Sequence, residues 1–417
     1  MLVVQKYGGS SVGTPERLRA VAREVVATRA RGCELVVVVS AMGDATDELL
    51  ALAARVAGGE SGARCHPREL DMLLTAGERI SMALLAIGIR EAGAEAVSFT
   101  GSQAAIVTDE AHTDARIREI RAERVREALA AGQIPIVAGF QDVSRAREVT
   151  TLGRGGSDTT AVALAVALDA DRCEIRTDVP GVYTADPRTV PGARLIDQIS
   201  HEEMLELATA GARVMHPRAI EIGARFGVDI QVRSALPPDA VGDGTLITHT
   251  PARMEDTLVT GIAASPGYAK LVQRGLPGGI QTLAALLSAL ADAGISVDMI
   301  TESPEPGGSA QLQFTVEQGA LERGRQVASQ VAAGLGAGDP EVQGGLSRIA
   351  LVGSGMTGRP GVYARAFGAL CDVGVEVYGI STSSISITLL VAGDAEQRAV
   401  EALHGAFFAE IARSTEG

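Results

Sequence analysis

The sequence predicts an α/β domain with a mainly parallel sheet, followed by two small α+β units. Three observations predict this architecture. Short β-branched runs alternate with helical stretches as far as Arg233. Prolines, glycines and polar residues then cluster at Pro237–Glu255, which is typical of a domain boundary. Beyond this cluster, one helix–Gly–strand pattern occurs twice.

The chain begins with a βαβ unit. Leu2–Gln5 is typical of a short strand, and Leu35–Val39 of a parallel strand buried on both faces. Between them, Thr14 is placed as a helix N-cap and Pro15 as the first helical residue. Lys6 follows the first strand, at the end of a parallel sheet where ligands bind. It is therefore a candidate site residue, although a solvated lysine beside a turn remains the alternative.

The loop after the second strand carries hydroxyl groups. Ser40 lies at the strand end and Thr46 at the start of the next helix. Asp44 or Thr46 could act only as a helix cap.

A long helix is predicted over Arg68–Glu91, with Gly77 in its interior. Glycine in mid-helix costs about 1 kcal/mol relative to alanine, so we expect another backbone to approach closely there. Glu78 could hold a substrate ammonium group, or could pair with Arg79 or other surface cations.

The βα alternation continues to the end of the first domain, with a polar loop expected at Asp142–Val149. The further predicted strands are Ala96–Thr100, Ala105–Thr108, Ile134–Ala138, Glu174–Thr177 and Asp229–Arg233. The further predicted helices are Ala115–Ala131 and His201–Ala208, with an apolar helix at Ala161–Leu168.

A glycine-rich stretch, Thr151–Thr160, precedes that apolar helix. Gly153, Gly155 and Gly156 let the backbone turn tightly and expose N–H groups, which together with the helix N-terminus favour an anion. Arg154 adds a planar cation suited to carboxylate or phosphate, and Asp158 a fixed negative charge. Alternatively, Ser157 is simply the helix N-cap. The spacing matches neither a P-loop nor a dinucleotide-binding loop.

The C-terminal part repeats itself. Leu290–Ile300 and Leu370–Ile380 each contain a helix end, a glycine and a strand, and each is followed by another strand (Ala310–Val316 and Ser384–Val391). Two copies of a small α+β unit suggest a paired regulatory or assembly module. Chance similarity between two such hairpins is the alternative.

Composition excludes several classes of protein. The net charge of -14 argues against nucleic acid or an anionic membrane as the main partner. The start lacks a signal peptide pattern, and the apolar runs look too short to span a membrane. The four cysteines, Cys33, Cys65, Cys173 and Cys371, have no metal or redox spacing. A soluble protein of the reducing cytoplasm is expected.

Taken together in this order, the motifs resemble those of the bacterial stand-alone aspartokinases over almost the whole chain. The residues that carry the resemblance are Lys6–Ser11, Ser40–Gly43, Thr46–Asp47, Gly77–Glu78, Gly153–Thr160, Thr177–Asp178, Tyr183–Arg188 and His216–Arg218. The resemblance implies a three-layer αβα amino-acid-kinase fold over residues 1–245. Two ferredoxin-like ACT domains, which bind amino acids, are implied over residues 256–335 and 340–417.

The implied reaction is transfer of the γ-phosphoryl group of MgATP to the side-chain carboxylate of L-aspartate, the entry to lysine, threonine and methionine synthesis. By resemblance, Lys6 stabilises the transferring phosphoryl group and Asp158 orients the catalytic cations. The implied aspartate-binding residues are Ser40, Thr46, Glu78, Arg154, Gly155, Gly156 and Ser157. The implied nucleotide-binding residues are Lys6, Tyr7, Gly8, Gly9, Thr177, Asp178, Tyr183, Asp186, Arg188 and Arg213. No metal ligands from the protein are implied beyond the nucleotide's own Mg²⁺.

The sequence departs from the family at several positions. Arg213 stands where lysine is usual, Arg176 where tyrosine is usual, and Pro180 where aspartate is usual, all in or near the implied nucleotide site. The first ACT unit has a shortened Leu276–Gly279 loop, with Glu302 and Ser303 for the common Gln and Asn. In the second unit Ser384 replaces a common Glu. Weak or altered feedback by lysine or threonine is therefore hypothesised.

Two other functions compete with this interpretation. One is a kinase of the same fold acting on glutamate, acetylglutamate or carbamate. The other is a non-catalytic amino-acid sensor that keeps only its ACT modules. ACT units commonly pair between chains, so a homodimer is expected, and Met254 is a possible internal start of a shorter subunit or an ordinary linker residue.

Overall fold

The computed structural model describes residues 1–235, 243–251, 258–356 and 359–409. Met254 and most of the predicted Pro237–Glu255 boundary lie outside these residues. The chain divides into two compact units. The N-terminal unit comprises Met1–Tyr183, Leu195–Ala208 and Arg213–Ala252, and the C-terminal unit comprises Thr184–Arg194, Thr209–Ala212 and Arg253–Gly417.

The N-terminal unit is built on a mainly parallel sheet, as predicted. Its strands are β1 (Leu2–Tyr7), β2 (Glu34–Val39), β3 (Ala96–Phe99), β4 (Ile106–Thr108), β5 (Ile117–Ile120), β6 (Ile134–Ala138), β7 (Gln141–Ser144), β8 (Val149–Thr151), β9 (Arg172–Thr177), β10 (Gln198–Ser200), β11 (Ile230–Ser234) and β12 (Thr245–Thr248). The main sheet has the order β10-β12-β11-β9-β1-β2-β6-β3, and only the β11–β12 pairing is antiparallel.

A second, four-stranded sheet of order β5-β4-β7-β8 corrects two predictions. The stretch 115–131 is not one helix, because Ile117–Ile120 pairs with β4 as a strand before a shorter helix begins. The polar stretch after Asp142 is not an open loop but a hairpin of β7 and β8. Polar residues dominate both stretches, so their tertiary pairing overrides the weak local signal.

The helices of this part of the chain are α1 (Pro15–Ala30), α2 (Ala45–Val56), α3 (Glu60–Arg64), α4 (Pro67–Glu91), α5 (Glu123–Ala130), α6 (Gly156–Leu168), α7 (His201–Ala210) and α8 (Pro217–Phe226). The predicted start of α1 is confirmed: the Thr14 side chain accepts a hydrogen bond from Arg17 N, and Pro15 is the first helical residue.

By length and composition, α4 could cross a membrane, which the sequence prediction of short apolar runs did not anticipate. Single helices of this kind are often core helices of globular proteins. Here Leu85 and Ile89 are fully buried and belong to the same core cluster as Val21 of α1 and Val37 of β2. Part of the apolar surface of α4 is thus used in the core, whereas Ile80, Leu84 and Ile87 are exposed.

The C-terminal unit confirms the predicted repeat. Its elements are β13 (Gly261–Pro277), α9 (Ile280–Asp292), β14 (Asp298–Pro304), β15 (Ser309–Glu317), α10 (Leu321–Gly334), β16 (Glu341–Val352), α11 (Val362–Asp372), β17 (Val377–Thr382), β18 (Ser386–Ala392) and α12 (Glu396–Phe408). They form one antiparallel sheet of order β14-β15-β13-β16-β18-β17. Gly294 and Gly374 follow α9 and α11 with φ of 64° and 66°, a conformation that favours glycine.

The segment Thr184–Arg194 belongs to the C-terminal unit although it precedes it in sequence. Ala185 and Val190 are buried in the same core cluster as Ile262, Leu403 and Phe407. Thr184 binds this unit twice: its carbonyl accepts from Ile262 N at 2.8 Å, and its hydroxyl lies 3.0 Å from His404 Nε2 of α12.

Candidate active site

The ion pair between Lys6 and Asp158 joins the first strand to the glycine-rich loop. Lys6 is near the carboxyl end of β1, and Asp158 is in the first turn of α6. Lys6 Nζ lies 2.7 Å from Asp158 Oδ1, and about a tenth of each side chain is exposed. A lysine held by a carboxylate at the mouth of a helix keeps a fixed position, and this pairing disfavours the interpretation of Lys6 as a free surface lysine.

The loop after β1 leaves no room for a side chain at Gly9. A Cβ on Gly9 would lie 2.8 Å from the carbonyl oxygen of Ala41, and one on Gly8 would lie 3.5 Å from Lys6 Nζ. Gly9 O also accepts a hydrogen bond from Gly43 N at 3.0 Å. The two loops that follow β1 and β2 therefore lie against each other, and the backbone beside the lysine is left open to a ligand.

Glu78 lies in α4 and is buried against the loop after β2. Its Oε1 accepts a hydrogen bond from Ala41 N at 3.1 Å, whereas Oε2 has no hydrogen-bond partner among the described residues. Burial raises the pKa of Glu78 to about 7. The alternative pairing with Arg79 is wrong, because Arg79 Nε donates to Gln141 instead. A buried carboxylate with one free oxygen suits an ammonium group.

The predicted close approach at Gly77 is confirmed. A Cβ there would lie 2.7 Å from Cβ of Ala41, the residue whose N–H binds Glu78. The glycine thus allows α4 to approach the loop closely enough for Glu78 to reach it.

The glycine-rich loop turns through two left-handed residues, Gly153 (φ 73°) and Gly155 (φ 71°). A side chain on Gly155 would overlap the ring of His216. α6 begins at Gly156, so Ser157 is inside the helix and the alternative that it is the N-cap is wrong. Arg154 is exposed and forms no ion pair with any residue that the structure describes, which leaves its guanidinium available to an anion.

The hydroxyl residues lie at the strand and helix ends where they were predicted. Ser40 follows β2, and its N–H donates to Tyr7 O at 3.1 Å. Thr46 is the second residue of α2. Asp44 occupies the N-cap position of α2 without a side-chain hydrogen bond to the helix, so it does not act as the predicted cap.

The implied nucleotide residues are divided between the two units. Thr177 ends β9 and donates to Asp178 Oδ1 at 3.1 Å, in the N-terminal unit together with Tyr183 and the exposed Arg213. Asp186 and Arg188 form an ion pair of 2.7 Å in the segment that belongs to the C-terminal unit.

Two residues near Lys6 in the sheet point away from it. Successive strand residues face opposite sides of a sheet. The Tyr7 ring is accordingly buried on the other face, where its hydroxyl donates to Gln5 Oε1 at 3.2 Å. Arg176 lies beside Tyr7 in the register and pairs with Glu174 at 2.7 Å. Tyr7 therefore contributes backbone rather than its ring to the Lys6 side, and the Arg176 side chain lies away from Lys6.

The structure also contains a buried carboxylate that the sequence did not single out. Asp71, seven residues before Glu78 in α4, is fully buried and accepts hydrogen bonds from His112, Thr113 and Thr151. The available signal was a charged residue in a largely apolar helix, about two turns before Glu78. Among the described residues, no three His, Cys, Asp or Glu side chains are grouped as a metal site.

The sequence profile of the Amino acid kinase family matches residues 1–234, and that of an ACT domain matches residues 349–407. The chain is 46% identical to an aspartokinase of Mycolicibacterium smegmatis, over 97% of this chain and 96% of the relative. It is 44% identical to an aspartokinase of Geobacillus stearothermophilus, over 97% of both chains.

Among solved structures, the fold is similar to E. coli aspartokinase III in complex with aspartate and ADP in the R-state. The TM-score is 0.80 at 29% identity, over 98% of this chain and all of the other. The chain therefore belongs to the aspartokinases, within the amino acid kinase family.

Proposed function

We propose that the Lys6–Asp158 end of the sheet is where this chain transfers the γ-phosphoryl group of MgATP to the side-chain carboxylate of L-aspartate, giving 4-phospho-L-aspartate. One arrangement carries this proposal. Lys6 is fixed by Asp158 beside the backbone of the glycine loop, and buried Glu78 contributes an oxygen that has no hydrogen-bond partner among the described residues. The acceptor carboxylate is ionised at neutral pH, so no general base is needed. The difficulty is to bring two anions together, which requires positioning and cations.

Aspartate has two charged ends besides the reacting carboxylate, and the site offers a complement to each. Glu78 binds the ammonium group through its unpaired Oε2. The exposed Arg154 binds the α-carboxylate, since a guanidinium matches a carboxylate in a bidentate fashion. The backbone at Gly155 and Gly156 and the hydroxyls of Ser40, Thr46 and Ser157 complete the set, with Gly156 contributing close approach rather than its N–H, which donates to Gly153 O at 3.1 Å.

The nucleotide uses the loop after β1 and the end of β9. Gly8 and Gly9 allow close approach of the phosphates, and Lys6 stabilises charge on the transferring group. Thr177, Asp178, Tyr183, Asp186, Arg188 and Arg213 are the proposed nucleotide contacts. Mg²⁺, bound with the nucleotide, neutralises the phosphate oxygens, and Asp158 keeps Lys6 aligned with them. The complex of the E. coli enzyme with aspartate and ADP supports this assignment of ligands.

The C-terminal unit is the proposed regulatory part. E. coli aspartokinase III, solved with lysine and aspartate in a T-state, has a TM-score of 0.75 to this chain at 28% identity, over 98% of this chain and 99% of the other. We propose lysine or threonine as effectors, with weak or altered inhibition because of Glu302, Ser303, Ser384 and the short Leu276–Gly279 loop. Pairing of ACT units between chains would give a homodimer in the cytoplasm.

The test is release of ADP with MgATP and L-aspartate, together with trapping of the acyl phosphate by hydroxylamine. Glutamate, acetylglutamate and carbamate serve as parallel acceptors. Turnover and a trapped hydroxamate with aspartate alone are expected. Turnover only with another acid would contradict the assignment of aspartate as the substrate. No turnover with any acid would favour the interpretation as a non-catalytic amino-acid sensor. Titration with lysine and threonine, singly and together, tests regulation: strong inhibition at sub-millimolar concentrations would contradict weak feedback.

A further inference from the structure

The Asp71 carboxylate connects α4 to two other parts of the chain by hydrogen bonds. It is fully buried in α4, yet both of its oxygens are hydrogen-bonded. His112 Nδ1 lies 2.7 Å from Oδ2, Thr113 N donates to both oxygens at 3.1 and 3.2 Å, and Thr151 Oγ1 donates to Oδ1 at 2.6 Å. A buried carboxylate is tolerated when it is satisfied in this way.

Two of these donors border the loop that carries Arg154. Thr151 is the last residue of β8, three residues before Arg154, and its carbonyl accepts from Ala115 N at 2.9 Å. Thr113 packs directly on the loop, since its carbonyl oxygen would lie 2.9 Å from a Cβ on Gly153. Displacing Asp71 would therefore release both the start of the loop and the segment on which it rests.

Thr113 is held in an unfavourable conformation by this network. Its φ is 68°, in the left-handed region that β-branched residues rarely adopt. Such a conformation persists only where surrounding contacts fix it, and the two bonds from Thr113 N to Asp71 are contacts of that kind.

The helix α4 connects this network to the other end of the aspartate site. Asp71 and Glu78 are seven residues apart, so they lie on one face of the helix, about 10 Å apart along its axis. We propose that Asp71 is a positioning residue: through Thr151 and Thr113 it fixes the distance between Arg154 and Glu78, and so selects the length of the bound amino acid. This rests on the proposed roles of Arg154 and Glu78 in binding aspartate.

Adjacent residues of β8 provide a matched test. Thr150 and Thr151 are both fully buried and each forms a 2.6 Å hydroxyl hydrogen bond, but Thr150 bonds to Thr108 and only Thr151 to Asp71. For Thr151→Val we expect the KM for aspartate to rise on the order of tenfold, since a hydrogen bond to a charged group is lost. The KM for MgATP should stay within twofold. Thr150→Val and the hydroxyl-retaining Thr151→Ser should leave both KM values near those of the parent enzyme.

A double variant separates positioning from general weakening. If Asp71 acts through Arg154, adding Thr151→Val to Arg154→Ala should raise the KM for aspartate no further than Arg154→Ala alone. Equal effects of Thr151→Val and Thr150→Val, or a parallel rise in the KM for MgATP, would overturn the positioning role of Asp71. A raised KM for aspartate in Arg154→Ala would, in that case, still support the binding role of Arg154. An unchanged KM for aspartate in Arg154→Ala would instead refute the binding role on which it rests.

Discussion

The two faces of the central sheet carry contrasting charged groups within a few residues of each other. On one face, Lys6 of β1 pairs with Asp158 of α6. On the other, Gln5 and Tyr7 of β1 lie beside Glu174 and Arg176 of β9. Strand alternation alone separates the two sets, since neighbouring residues of a strand face opposite sides.

The face with Arg176 is a closed network. Arg176 donates to Glu174 through Nε and Nη2 at 3.0 and 2.7 Å, and Glu174 also accepts from Gln5 at 2.9 Å. Burial acts to raise the pKa of Glu174, but the charge of Arg176 and these hydrogen bonds hold the pKa below its ordinary value. Arg172 adds a further ion pair at 3.1 Å. The charges here satisfy one another.

The site at the end of the sheet, where Lys6 and Glu78 lie beside the loops after β1 and β2, is left open in comparison. Glu78 has an unbonded oxygen, and Arg154 has no ionic partner among the residues that the structure describes. Uncompensated groups cost stability and are retained where a ligand completes them. The comparison indicates that the closed network supports the sheet, whereas the open site has charged groups left for a ligand.

The largest expected effect is on stability, from breaking the closed network. Arg176→Met leaves Glu174 buried without its main cation, which should cost about 3–5 kcal/mol of unfolding free energy. Urea unfolding of the full chain, monitored by circular dichroism, measures this loss of unfolding free energy. The kcat per folded active site should change less than twofold, because the side chain lies on the far face from Lys6.

A double variant, Glu174→Gln with Arg176→Met, is the control, because it removes both charges. It should recover part of the lost stability. If kcat fell a hundredfold in folded Arg176→Met, the face with Arg176 would take part in catalysis. That result would contradict the contrast between a structural network and an open site.

The next effect is on turnover, from breaking the open pair. Lys6→Met removes the cation proposed to stabilise the transferring phosphoryl group, and we expect kcat to fall on the order of 10²–10³-fold, as for the loss of one transition-state donor. Stability should fall as well, since Asp158 is buried and loses its cation, so kcat is compared per folded active site. Activity and thermal unfolding measured on the same preparation distinguish the two. A loss of activity that merely tracks the unfolded fraction would argue against catalysis by Lys6.

The sequence predicted the parts of this site that depend on local signals. A lysine at a strand end pointed to Lys6, the mid-helix Gly77 drew attention to Glu78, and the glycine-rich turn before α6 pointed to Asp158. Strand alternation could also have placed Tyr7 away from Lys6. What the sequence could not predict are pairings across long separations: Asp71 and Thr151 are 80 residues apart. The small sheet of β4, β5, β7 and β8 was missed for the same reason.

The smallest expected effect is a pH dependence that belongs to the open site alone. The raised pKa of Glu78, about 7, means that the free enzyme loses the ionised carboxylate as the pH falls through neutrality. Since kcat/KM reports the free enzyme, kcat/KM for aspartate should fall about tenfold from its plateau by one pH unit below that pKa.

Glu78→Gln provides the control, because it should raise the KM for aspartate and abolish this acidic limb, while Arg176→Met should keep it. Stability changes in the opposite direction: folded Glu78 binds its proton more tightly than the unfolded chain does, so ionisation destabilises the unliganded protein as the pH rises from the ordinary glutamate pKa to about 7. Bound aspartate should remove that penalty by supplying the ammonium group. If kcat/KM for aspartate still fell at acidic pH in Glu78→Gln, the titrating group would not be Glu78. That result would contradict the proposed contact between the unpaired oxygen of Glu78 and the substrate.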